Sequence, residues 1–118
     1  MAPIDSKEIS EVRRKNMENF RKKSEPALNF LYATIDNFVA NPINRPSQVQ
    51  SPEVISWRVP ITKDMYAGLK DPTHPFAVFA PIEYGQLGWT SFKPIDVTPG
   101  QREDVEYFLE IGYDATLR

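Results

Sequence analysis

The chain contains no cysteine. Disulfides, thiolate zinc sites, iron–sulfur clusters and thiol nucleophiles are therefore excluded outright. Histidine occurs once, at His74, so imidazole chemistry rests on a single residue. Long hydrophobic runs are missing as well. The longest mainly apolar stretch, residues 76–82, is far short of the ~20 residues that span a bilayer. The opening residues MAPIDSKEIS hold no apolar core of the signal-peptide kind, and the expectation is a soluble, cytoplasmic chain with no membrane contact. Neither sign of charge dominates: the net charge is −2 and the isoelectric point is near 5.4. Attraction to nucleic acid or anionic lipid would have to come from a local patch.

What is present divides unevenly. Nine of the eleven prolines fall between Asn41 and Pro99, among Trp57, Tyr66, Phe76, Phe79, Tyr84, Trp89 and Phe92, whereas the residues before Asn41 are densely charged and helical in pattern. With 118 residues, 41% hydrophobic and 25% charged, the chain fits one domain spanning 1–118, able to bury roughly two thirds of its unfolded surface.

Asp5, with Glu8 three residues on, makes a capping-box-like helix start, and Ile4 with Ile9 is spaced as a hydrophobic staple. Ile9, Val12, Met17 and Phe20 then share one arc, but Asn16 interrupts it and the stripe is thin. Pro26 predicts a kink or a restart. Beyond it Leu28, Leu31, Ile35, Phe38 and Val39 form a broad apolar face with Tyr32 at its edge, while Phe30 projects from the opposite side. Pro42 stops this helix at Asn41. Residues 41–52 read as a proline-rich linker or surface strap. Ile55, Trp57, Val59 and Ile61 alternate as in a half-buried strand, with Pro60 marking a sheet edge. Residues 76–84 and 87–92 read as a hairpin turning at Gly85-Gln86. Thr98, Pro99 and Gln101 make an N-terminal helix signature, with Val105, Phe108 and Leu109 as its buried face and Gly112 as its end.

The resulting expectation is an α+β fold. Two N-terminal helices (6–24 and 26–40) and a C-terminal helix (99–110) pack on a small antiparallel sheet of three strands (54–61, 76–84 and 87–92).

Arg13-Arg14-Lys15 and Arg21-Lys22-Lys23 invite a phosphate-binding reading. Glu11 to Lys15 and Glu18 to Lys22 are spaced for pairing, however, so the face reads as a self-neutralised, solvated helix surface and nucleic acid is disfavoured. His74 has no partner nearby in sequence, so a structural or exposed loop histidine is the expectation. Glu103, Asp104, Glu106 and Glu110 are better explained by a helix dipole than by a metal, and no cofactor or metal is expected.

The aromatics exceed what a small core obviously needs, and aromatic anchors on rigid backbone are what binding hot spots require. Three functional readings follow. The first is a non-catalytic accessory or adaptor protein recognising another protein through Trp57, Tyr84, Trp89, Phe92 and Phe30, with Ile9, Val12, Met17 and Phe20 as a further interface for a second copy or a larger partner. The second is a small enzyme or ligand-binding domain whose aromatic pocket joins Tyr66, Tyr84, Trp89 and His74. Nucleic-acid binding through the basic first helix ranks third.

Overall fold

Ile9–Ala40 is one uninterrupted 32-residue helix, α1, with Pro26 inside it. This corrects the expected division into helices 6–24 and 26–40. Proline in a helix interior costs about 3 kcal/mol, whereas burying one leucine or isoleucine stabilises by about 1.5–3 kcal/mol. Leu28, Leu31 and Ile35 are all buried on the far side of the proline, and together they outweigh it. Ser24, also buried, donates its hydroxyl to the carbonyl of Phe20 (2.7 Å), which keeps a polar group satisfied beside the proline. Asp5 caps a turn rather than the helix itself, its Oδ1 accepting from the Lys7 amide. The helix ends at Asn41, whose amide donates to the Phe38 carbonyl, as Pro42 requires.

The computed structural model describes residues 2–49, 54–98 and 104–117. After α1 these form strands β1 (Ser47–Val49) and β2 (Val54–Pro60), helices α2 (Lys63–Lys70) and α3 (Pro75–Gln86), strands β3 (Ser91–Val97) and β4 (Glu106–Asp114), and a final 3-10 turn, Ala115–Leu117. The fold is α+β with an antiparallel sheet in the order β1-β2-β4-β3. Part of the expected strap at 41–52 is thus the edge strand β1. Among the described residues no helix is long and apolar enough to cross a membrane.

Three expected elements change identity. Residues 76–84 are helix, not strand: Phe76, Phe79, Ala80 and Tyr84 face the core at helical spacing. A continuous apolar run has no period that separates a buried strand from a buried helix, and here Pro75 at the first helical position, with His74 as N-cap, decides for helix. The expected strand 87–92 therefore begins only at Ser91, and the hairpin at Gly85-Gln86 does not form. The expected helix 99–110 is replaced by β4; residues 99–103 lie outside the described residues. Tyr107, Leu109, Ile111 and Tyr113 alternate along β4, and that period-2 signal wins over the helical grouping of Val105, Phe108 and Leu109. Glu106 and Glu110 consequently share a strand face, and Glu110 lies opposite Arg58. Glu103 lies outside the described residues, and among those described no group of three or more histidines or carboxylates is placed to hold a metal.

Strand register sets the core. Trp57, Ile111 and Phe92 form one row across β2, β4 and β3, and Val59, Leu109 and Pro94 form the next. This face packs on Leu28, Leu31 and Ile35 of α1, Met65 and Leu69 of α2, and Phe76, Phe79 and Tyr84 of α3. The opposite face carries the row Arg58, Glu110 and Lys93 beside Pro60, Phe108 and Ile95. The first half of α1 reaches past the core, since a 32-residue helix is about 48 Å long and the molecule measures 57 × 39 × 23 Å.

Gly112 sits buried within β4, where a Cβ would lie 2.8 Å from the carbonyl oxygen of Ile55 on the paired strand. Gly112→Ala should therefore destabilise the fold by about 1–3 kcal/mol, the usual cost of overpacking, read as a lower denaturation midpoint. An unchanged midpoint would mean that the β2–β4 pairing is looser than described.

Candidate functional site

The aromatic residues singled out from sequence do gather, but mostly as a layer between sheet and helices. Tyr84 is 5% exposed and stacks on Phe92 (5.4 Å between centroids, 29°). Trp57, Trp89 and Tyr113 form a triangle with centroid separations of 6.0, 6.1 and 5.6 Å. Trp57 is fixed further by its indole N–H, which donates to the Asn44 carbonyl (3.0 Å) in the segment after α1. Phe30 stands apart, 65% exposed on the outer side of α1, and does not join this cluster.

Trp89 owes its place to the end of α3. Gly88 adopts φ 96°, a conformation glycine takes without steric penalty. The Trp89 amide donates to the Tyr84 carbonyl and the Gly88 amide to the Gly85 carbonyl. These are the two hydrogen bonds of a Schellman cap. The cap turns the chain back so that the Trp89 ring meets Tyr84 (6.4 Å, 74°), and the Thr90 amide then bonds to the Gly112 carbonyl and leads into β3.

The turn leaves a cleft of about 300 Å³ between α1 and α3, lined by Tyr32, Asp36, Glu83, Tyr84, Leu87 and Trp89. Tyr32 meets Tyr84 edge to face (5.3 Å, 89°). The Tyr84 hydroxyl donates to Asp36 Oδ1 (2.8 Å), and the Tyr32 hydroxyl donates to Glu83 Oε1 (3.1 Å). Arg21 holds Glu83 from the other side in a two-pronged pair, 2.9 Å from Nε and 2.8 Å from a terminal nitrogen. Burial, and then the hydrogen bond to a carboxylate, push both tyrosine hydroxyls well above the ordinary tyrosine value. The Arg21 hydrogen bond, aided by Tyr32, holds the Glu83 carboxyl below its ordinary range against the opposing effect of burial. The cleft therefore presents neutral tyrosines and an ionised Glu83, with the carboxyl group of Asp36 beside them.

A larger space, about 770 Å³, lies between the first half of α1 and α3, lined by Met17, Phe79 and Ile82 with Arg14, Glu18, Arg21 and Glu83 among its polar members. It is a shallow groove open to solvent, and four of its charged members are held in ion pairs, Arg14 with Glu18 and with Glu11 beside the groove, Arg21 with Glu83. Self-neutralisation of this surface thus runs through Arg14, rather than through the expected Glu11–Lys15 and Glu18–Lys22 pairs. The smaller cleft has the convergent polar groups and aromatic walls of a ligand site.

Tyr66 and His74 lie elsewhere. Tyr66 packs on Tyr107 (4.7 Å), four residues and about 13 Å of strand from the Trp57–Ile111–Phe92 row. His74 caps α3, its Nδ1 accepting from the Phe76 amide (3.1 Å), and rests against the Phe76 ring. The four-residue pocket expected from sequence is thus split: Tyr84 and Trp89 meet, Tyr66 and His74 do not. Along α1, Ile9 and Met17 are exposed and Val12 is half-buried, whereas Phe20 is used within the chain against Phe79 (5.3 Å).

Sequence reasoning missed Asp36, Glu83 and Leu87. The spacing of Tyr32 and Asp36, four apart on one helical face, was available as a signal. Glu83 and Leu87 carry the same spacing but become neighbours only once residues 75–86 are helical.

No family model matches the chain, and no curated protein or solved structure is significantly similar to it, so the functional reading rests on the residues themselves.

Because Glu83 ionises below its ordinary value of 4.5 in the folded state, the stability it contributes is present above that value and is lost as pH falls through the folded value. Glu83→Gln should therefore be less stable than the parent at pH 7, and the gap should close as the pH is lowered below about 4.5. Urea midpoints across that range measure it; a gap independent of pH would remove the Arg21–Glu83 pair from this role.

Proposed function

We propose that the protein is a non-catalytic recognition module that binds another protein at the Trp89 end of the molecule, where the cleft opens beside Leu87. The observation that carries this reading is the pre-set geometry of the cleft. Tyr84, Trp89, Trp57 and Tyr113 are locked by ring contacts and a helix cap before any partner arrives, which lowers the ordering cost of binding. Leu87, 73% exposed at the rim, supplies apolar contact area next to it. Of the residues expected to bind a partner, Trp89 borders the cleft and Tyr84 floors it, while Trp57 and Phe92 act as support. Catalysis is disfavoured by the state of the polar groups: the hydroxyls are held protonated and already donate to carboxylates, and the imidazole that might have served as a base caps a helix at another site.

The test places a photo-crosslinking amino acid at position 87 in the cells that make the protein. A discrete adduct that disappears in Trp89→Ala, with the melting temperature of that variant checked to show it is folded, supports the reading. An adduct that survives Trp89→Ala in a folded variant, or no adduct at all, refutes it.

A second surface supports self-association through the projecting half of α1. Ile9 and Met17 are exposed there (38% and 49%), and the charge is segregated: Asp5, Glu8 and Glu11 outnumber Lys7, after which Arg13, Arg14, Lys15, Arg21, Lys22 and Lys23 outnumber Glu18. A second copy running in the opposite direction sets the acidic segment against the basic one. Sedimentation equilibrium should show a dimer that weakens with salt, because exposed charges are screened, and that weakens about tenfold in Met17→Glu. A monomer at millimolar concentration in low salt rules it out.

A further inference from the structure

We propose that the cleft between α1 and α3 binds an alkylated ammonium group, with Tyr32, Tyr84 and Trp89 as its aromatic walls and Asp36 as its counter-charge. This deepens the recognition reading above and rests on it for the source of the ligand, a methylated lysine side chain of the partner.

The shape of the cleft comes first. Its three rings stand at steep angles to one another, 89° between Tyr32 and Tyr84 and 74° between Tyr84 and Trp89. They bound the space from different sides rather than as one flat wall. Tyr84 is the most buried of the three and forms the floor, while Tyr32 and Trp89 are half-buried and flank the opening. At about 300 Å³ the volume lies at the low end of small-ligand sites, suited to a compact head group and not to a nucleotide or an extended peptide. Rings around a compact cation attract it through their negative faces, most strongly for tryptophan.

Charge then selects the sign of the ligand. Asp36 and Glu83 are the acidic groups lining the cleft, and among the described residues no lysine, arginine or histidine lines it. Arg21 approaches Glu83 from outside and engages both of its oxygens. Glu83 is thereby matched, and the uncompensated charge in the cleft is that of Asp36. Its Oδ1 accepts from Tyr84, leaving Oδ2 without a hydrogen-bond partner among the described residues, on a residue exposed to solvent. An anion would face carboxyl groups and ring faces, and the two tyrosine hydroxyls that could have donated to it are already committed. A neutral apolar group would fill the space but gain nothing from Asp36.

An alkylated head group fits better than a bare ammonium. Primary ammonium is strongly hydrated and keeps its water where it finds few acceptors, whereas methylation spreads the charge over a weakly hydrated apolar surface that aromatic walls can cover. The long apolar stem of a lysine would leave past Leu87, the exposed apolar residue of the rim.

The experiment titrates the intact protein with choline and with its uncharged isostere 3,3-dimethylbutan-1-ol, following the two tryptophan indole N–H resonances. The expected result is that choline shifts the Trp89 resonance more than that of Trp57 and binds about tenfold more tightly than the isostere. Asp36→Asn, whose amide oxygen can still accept from Tyr84, should remove most of that preference with the remaining spectrum unchanged. Equal affinity for the two probes, a preference that survives Asp36→Asn, or no Trp89 shift up to about 50 mM choline overturns the proposal. A peptide carrying trimethyllysine separates the sources. Tighter binding of the peptide than of choline supports a protein ligand. If choline binds and the peptide does not, the cation site stands and the protein-recognition reading fails; if neither binds, the cation site fails while crosslinking at position 87 still judges the partner surface.

Discussion

The hydrogen bond from the Tyr84 hydroxyl to Asp36 is the interaction on which the rest of this molecule turns. It joins the second half of α1 to the last turn of α3, and the tyrosine that makes it also stacks on Phe92 of β3 and meets Tyr32 and Trp89 in edge-to-face contacts. A buried hydroxyl without a partner is costly, and a buried hydroxyl with one is geometrically demanding. Once Tyr84 has bonded to Asp36, the spacing of the two helices, the position of the Schellman cap and hence the orientation of Trp89 follow. The Arg21–Glu83–Tyr32 network repeats the arrangement one turn earlier on α1, from the neighbouring residue of α3. Two polar clasps of this kind make the α1–α3 seam specific where apolar packing alone would tolerate sliding.

The two halves of α1 obey different physics. Leu28, Leu31 and Ile35 are buried to within 1% exposure, and that burial carries the helix through Pro26. In the first half only Val12, Phe20, Arg21 and Ser24 are turned toward cover, and its ion pairs join residues on its own surface, apart from Arg21. Exposed pairs of this sort are weak and salt-sensitive. The projecting half is therefore held by helical continuity with the anchored half more than by contacts of its own, which leaves its surface free to meet something else.

Much of the architecture was legible in the sequence, and each misreading has its own physical cause. The α+β class, the stop at Asn41 and the alternation of β2 are local signals, written within four or five residues. Residues 76–84 failed because a segment apolar on every side has no period to read, and only its neighbours decide between strand and helix. Residues 106–114 failed because Phe108 on the outer face broke the alternation of Tyr107, Leu109, Ile111 and Tyr113 and allowed a helical grouping to compete. The candidate site inherited the first of these errors. With 76–84 as a strand, Glu83 and Tyr84 point to opposite faces; as a helix they stand side by side, and the cleft exists only in the second case. His74 shows the converse: its isolation from partners in sequence signalled a structural role, and its place as a helix cap is such a role.

The identity of the cleft's polar groups narrows what it can do more than its size does. A tyrosine hydroxyl facing solvent can donate, accept or, near its ordinary value, lose its proton. Tyr32 and Tyr84 have given up the first option to carboxylates, and burial has removed the third. What they retain is an acceptor oxygen and their rings. A carboxylate with a spare oxygen, set among rings whose hydroxyls are occupied, offers a ligand only electrostatic attraction and apolar cover, with no proton to exchange and no nucleophile to attack. Those are the two properties that a weakly hydrated cation uses and that a reacting substrate does not. The same hydrogen bonds that hold α1 against α3 therefore make the cleft chemically inert and leave it able to bind.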